Sequence, residues 1–214
     1  GYDKLIERIL LKDDKDKISK LSFAEIKELV SYYQVTSKEN PSEKANTVIF
    51  NISFDKEKFH DLFYSKDISY SEILNKEFYL LPVLKKKDQY FIFNQNFFYE
   101  NWNNYYEDDL IEFILPFENI EIIQKINSNK SNLLDINLSN LFQEYSKKNL
   151  ALVFIEDING KAAKIFLKSE ISGKIINKNL SLKNEQNKKE SLNEQIIINI
   201  KKEIINLVKS QNLI

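Results

Sequence analysis

The chain has no cysteine, no methionine, three glycines, three prolines, one histidine and one tryptophan in 214 residues. Each scarcity removes a class of chemistry. Without cysteine there is no disulfide, thiolate nucleophile, zinc–thiolate site or iron–sulfur cluster. Gly160 and Gly173 stand alone, so neither the Walker loop nor the dinucleotide fingerprint is present. No serine occupies a Gly-x-Ser-x-Gly elbow. Arg8 is the only arginine, and bidentate recognition of phosphate or guanine draws on the guanidinium fork, which argues against a nucleic-acid reader. No apolar run approaches the roughly 20 residues of a membrane helix.

What is present is balanced. There are 31 basic and 32 acidic side chains, so no single-sign field draws the molecule to nucleic acid or an anionic membrane. Hydrophobic residues make up 43% and aromatics 13%, enough to build one large core or two small ones. The chain opens on Gly1 without an initiator methionine; the expectation is an upstream export signal that has been removed.

Periodicity outlines an α+β chain in two lobes, residues 1–75 and 76–214, each a small sheet with helices packed on it. In the first lobe Leu5, Ile6, Ile9 and Leu10 recur at helical spacing, and the charge-alternating stretch from Lys12 to Lys17 reads as a solvated turn. Ser22 and Glu25 form a capping-box signature ahead of Phe23, Ile26, Leu29 and Val30, which are expected to be the buried face of a second helix. Tyr33, Val35 and the run Val48–Phe54 read as two strands, and Asp55 caps a helix carrying Phe59, Leu62 and Phe63. A short helical piece is expected at Ser71–Asn75. The second lobe reads β-β-α-β-α-α-β-β-β-α. Its strands include an apolar Leu110–Leu115 covered on both faces, a buried Leu150–Ile155, and a hairpin at Asn159-Gly160. The last helix, about 190–210, carries Ile196, Ile197, Ile200, Ile204, Leu207 and Val208 on one stripe and docks on the sheet, with Lys201, Lys202, Glu203 and Lys209 on its polar face.

Three features are candidates for chemistry. His60 lies beside Phe59, Asp61 and Leu62; with no second histidine, only carboxylates could complete a metal site or orient it as a base. The run Glu107-Asp108-Asp109 offers paired carboxylates, yet lacks the glycine and alternating oxygens of a calcium loop and reads as surface charge. The segment Asn96–Tyr106 is the most unusual, with rings interleaved by asparagine. Phe98, Trp102 and Tyr105 at i, i+4, i+7 suit a core face. The alternative is a binding patch made of Phe97, Tyr99, Trp102 and Tyr106, stacking on a sugar, a base or a protein partner. No catalytic residue, metal or cofactor is assigned, and the chain is expected not to be an enzyme.

The run Phe78-Tyr79-Leu80-Leu81-Pro82-Val83-Leu84, the hairpin to Phe93, Asn96-Phe97-Phe98 and Trp102 resemble a set of proteobacterial envelope proteins. These form the domain-of-unknown-function family numbered 2066, in particular its alphaproteobacterial relatives. Ile114-Leu115-Pro116-Phe117-Glu118-Asn119-Ile120 is similar to their strand and turn, and Leu141–Val153 to their helix, tyrosine and buried strand. Phe97-Phe98 and Phe117-Glu118 depart from the family's Pro-Trp and Leu-Gly. The order of the second lobe resembles the amino-terminal domain of TolB, an analogy of fold. The resemblance implies an exported periplasmic protein with a cleaved signal peptide, working through contact with an envelope protein or cell-wall component. The alternative is a binder of a small ligand or carbohydrate at the aromatic segment near Trp102.

Overall fold

The structure is a computed structural model. It describes the chain apart from residues 19, 39–46, 72–75, 106–109, 131, 146–147, 159 and 184–190. The fold is mixed α+β, with helices packed on sheets. The chain divides into two compact units, Gly1–Ile73 together with Asn212–Ile214, and Leu74–Gln211. The return of the last three residues is held by a hydrogen bond from Ile214 N to Tyr70 O at 2.8 Å and by a bridge between Ser71 and Leu213. A boundary read along the sequence does not show that return.

The first unit contains α1 (Tyr2–Ile9), α2 (Lys12–Ile18), α3 (Phe23–Glu28), β1 (Val30–Lys38), β2 (Thr47–Phe54) and α4 (Lys56–Ser65). Its core gathers Ile6, Ile9, Leu10, Ile18, Leu29, Phe59, Phe63 and Ile68. Two local expectations are corrected. The charged stretch after Lys12 is helical, not a turn: Lys17 pairs with Asp14 one turn back at 2.7 Å, and Ile18 is buried at its end. In α3 no residue is buried and Phe23 is 82% exposed. Only Leu29, just past its end, enters the core. This short helix is held by the Ser22–Glu25 capping box, both halves of which form, and not by an apolar face. The piece expected at Ser71–Asn75 falls on residues 72–75, outside the described residues.

The second unit holds β3 (Lys76–Lys86), β4 (Gln89–Phe91), α5 (Phe97–Asn101), β5 (Ile111–Ile114), α6 (Ile120–Ser128), α7 (Leu138–Leu141), β6 (Asn149–Ile158), β7 (Ala162–Ile171), β8 (Lys174–Lys183) and α8 (Leu192–Ser210). The sheet runs β4-β3-β6-β7-β8, with β5 on the outer edge of β3 ahead of β4. The β5-β3-β6 core is parallel, while β4, β7 and β8 join antiparallel. One face packs Leu80, Val153, Ile155, Ile165 and Leu167 against α8 and α5; the other packs Leu81, Leu150 and Leu152 against α6 and α7. β6, buried on both faces from Leu150 to Ile155, lies between these layers. β5 does not: Glu112 is exposed, so this strand is covered on one face only. Gly160 (φ +67°) and Ser172-Gly173 (φ +52° and +78°) supply the left-handed residues of the two hairpins flanking β7; Asn159 lies outside the described residues.

Candidate interaction surface

The aromatic segment is organised by one buried side chain. Asn96 is fully buried; its Nδ2 donates to the carbonyls of Pro82 (2.8 Å), Phe91 (3.0 Å) and Ile92 (2.8 Å). Its Oδ1 accepts from Phe98 N (3.1 Å) and Tyr99 N (3.4 Å), capping α5. One asparagine thus ties the end of the β3–β4 hairpin to the start of the helix. Phe98 and Trp102 are then driven into the core beneath α8, where Trp102 meets Phe113 edge-on at 6.2 Å. Tyr105 packs partly on the same core, and a single 3-10 turn at Trp102–Asn104 ends the segment.

Of the expected patch residues Phe97, Tyr99, Trp102 and Tyr106, the three that are described do not share one exposed face. Trp102 is fully buried. Phe97 is half-buried against Phe98 and Tyr105. Tyr99 is half-buried on the opposite side of the sheet, its hydroxyl donating to Pro116 O at 2.8 Å, and burial raises its pKa. Tyr106 lies outside the described residues, as does the cluster Glu107-Asp108-Asp109. His60 is exposed, with Nδ1 3.3 Å from the Tyr70 hydroxyl and its ring near Tyr64 and Tyr70. Among the described residues no three metal-capable side chains come together.

A cavity of about 390 Å³ lies past the end of β5, lined by Pro116–Asn119, the start of α6 and the α7 end. Its charged groups are already engaged: Asn94 Nδ2 donates to Glu118 at 3.0 Å, and Lys125 donates to Asn140 O at 2.6 Å while standing 4.0 Å from Glu121.

The surface that sequence reasoning missed is the β1–β2 ribbon. Its register sets Tyr33 opposite Ile52 and Val35 opposite Phe50. Because side chains alternate, Tyr33, Val35, Val48, Phe50 and Ile52 share one face. All five are exposed, Tyr33 at 67% and Phe50 at 62%. The base of the ribbon is rooted: Asp55 N donates to Leu29 O at 2.8 Å, and Phe54 packs edge-on against Phe59 at 5.4 Å. Beyond that root, among the described residues, the two strands pair only with each other. Residues 30–37 and 47–54 contain no charged side chain, in a chain that is 29% charged. A strand pair left uncovered and uncharged departs from how proteins ordinarily blunt exposed edges with lysine or proline, and it lines up five exposed apolar side chains on one face, the kind of surface that interaction sites use. The alternating pattern of Val48–Phe54 was legible as a strand; that no helix would cover its apolar face was not.

No family model matches this chain, and no curated protein matches it. Among solved structures, a protein whose title is "Crystal structure of uncharacterized protein" is similar at 10% identity and a TM-score of 0.21, covering 65% of this chain and 91% of its own. No helix among the described residues is long and apolar enough to cross a membrane.

Proposed function

We propose that this chain is a non-catalytic interaction module of the bacterial envelope, which engages a protein partner through the apolar face of the β1–β2 ribbon. One observation carries the reading: five uncharged, exposed side chains aligned on one face of a ribbon whose strands, among the described residues, pair only with each other. A two-stranded ribbon is marginal in water without a covering layer or further strands, and apolar surface of this kind is what association buries. The resemblance of Phe78–Leu84, Asn96–Phe98 and Trp102 to the envelope family numbered 2066 supports the periplasmic placement, and the likeness of the second lobe to the TolB amino-terminal domain supports a role exerted through protein contacts.

The test is a photo-crosslinking residue placed at Phe50 in cells, with Glu112 on β5 as the control position. The reading expects a discrete adduct from Phe50, none from Glu112, and loss of the Phe50 adduct when Val35→Lys charges the same face, with the melting temperature unchanged. Equal labelling at both positions, or an adduct indifferent to Val35→Lys, refutes the interaction surface. Recovery of the protein in the cytosolic fraction refutes the envelope placement.

A further inference from the structure

The second unit carries a built groove of its own. Strand register aligns Tyr90 (β4), Lys85 (β3), Glu156 (β6), Lys164 (β7) and Ser181 (β8) in a single row across the sheet. The adjacent row on the same face is Val83, Phe154, Phe166 and Asn179, with the Phe154 and Phe166 rings stacked at 6.5 Å and 22°. The segment after α6 supplies a wall of Lys130, Leu133 and Leu134. That wall is pinned from below: Lys168, buried on the sheet one row further in, donates from Nζ to Leu134 O at 2.7 Å. The groove has a volume of about 530 Å³ and is open to solvent, within the range of small-molecule sites that combine an apolar floor with a few convergent polar groups.

The charges in it do not cancel. Lys85 and Glu156 are bonded at 2.9 Å, and this hydrogen bond holds the Glu156 carboxyl below and the Lys85 ammonium above their ordinary values. Asp88 acts on Lys85 from the neighbouring turn, outside the lining. Lys164 stands in register with Glu156, and Lys130 lies 5.8 Å over the Tyr90 ring; among the described residues neither forms an ion pair. Glu156 also acts on Lys164, so three ammonium groups, those of Lys85, Lys164 and Lys130, share one carboxylate in this lining.

We infer that this groove binds an amphipathic organic anion, its aromatic or branched acyl body on Phe154 and Phe166 and its carboxylate on Lys164. The site is independent of the ribbon and of the envelope reading. The ammonium group supplies a charge-assisted hydrogen bond, the strong class for a carboxylate, and the rings supply the buried area.

Naphthoate is the probe, with naphthylmethanol as its uncharged counterpart, titrated by calorimetry against the whole chain. Naphthoate is expected to bind saturably and more tightly than the alcohol. Lys164→Ala, at an exposed position, is expected to weaken naphthoate roughly tenfold, the loss of one charge-assisted hydrogen bond, and to leave the alcohol unchanged. Ser181→Trp, which fills the groove from its exposed rim, is expected to abolish both, with melting temperature confirming the fold of each variant. Equal affinity for acid and alcohol, indifference to Lys164→Ala, binding that survives Ser181→Trp, or no saturable binding overturns the inference.

Discussion

Replacing Asn96 tests how the second unit is held together. The side chain's two N–H groups are shared among three backbone carbonyls and its oxygen accepts from two backbone amides, at a site with no access to water. Asn96→Ala removes the helix cap, about 1 kcal/mol, and leaves carbonyls without donors at about 1–3 kcal/mol for each that stays buried. Entry of water into the vacated space offsets part of this, so a loss of about 3–5 kcal/mol is expected. Asn96→Asp separates the two halves of the role. Its carboxylate keeps the cap acceptor but turns a second oxygen toward the carbonyls of Pro82, Phe91 and Ile92, so at neutral pH it is expected to cost more than alanine. Protonation restores a donor. The folded state therefore favours the neutral acid and raises its pKa, and the stability of the Asp variant rises as pH is lowered through that titration. Urea unfolding followed by the fluorescence of Trp102, the single tryptophan and a neighbour in the same core, reports this unit directly. An alanine variant within about 1 kcal/mol of the parent, or an aspartate variant equal to the parent at neutral pH, refutes the pin.

Trp102→Ala, which empties a fully buried site beneath α8, is expected to cost about 3–5 kcal/mol in urea unfolding followed by circular dichroism; a variant that melts with the parent removes Trp102 from the core. In the first unit, burial and then the nearby Asp3 and Glu25 carboxylates raise the Tyr2 pKa to about 12. Its neutral phenol is thus favoured by folding. Stability is full below the ordinary tyrosine value of about 10 and falls as pH rises toward the folded value. Tyr2→Phe is expected to flatten this alkaline loss relative to the parent in thermal melts; parallel pH profiles refute it.

Much of the frame was legible because local pattern and tertiary packing agree in it. The stripe on α8 and the apolar run of β6 are buried as their periods require, and the Ser22–Glu25 capping box forms. Misreadings fall where short-range and long-range forces diverge. The helix after Lys12 is sustained by an ion pair and one isoleucine, too little apolar signal to show a period. Phe23 has helical spacing but no neighbour to bury it, because α3 is only six residues long. In the aromatic segment, the i, i+4 spacing of Phe98 and Trp102 was visible, whereas the carbonyls that fix Asn96 come from Pro82, Phe91 and Ile92 and depend on the hairpin closing first. The row from Tyr90 to Ser181 joins five strands spread over more than half of the second unit, so only the register brings it together.

The scarcity of glycine has a structural counterpart in how the lysines are spent. Helices commonly close with a left-handed glycine that satisfies their last carbonyls. Here Gly160 and Gly173 both serve hairpins, and lysines arriving from elsewhere in the chain cover the ends of helical segments instead. Lys58 donates to Glu28 O at the end of α3, Lys17 to Asp67 O just past α4, and Lys125 to Asn140 O in α7. Lys168 donates to Leu134 O in the 3-10 turn before α7, and Lys201, buried on α8, to Tyr105 O beyond the turn at Trp102. A compact ammonium with three donors on a flexible stem suits a cluster of carbonyls carrying the negative end of a helix. Lys201 reads as a polar-face residue in the sequence, yet it is buried, as is Lys168 on β7, and each donates its ammonium to a backbone carbonyl. The same device that closes the turns thus also holds up the wall of the groove. Groove geometry and fold stability are consequently linked at Lys168, whereas Lys164 stands at an exposed position in the same lining.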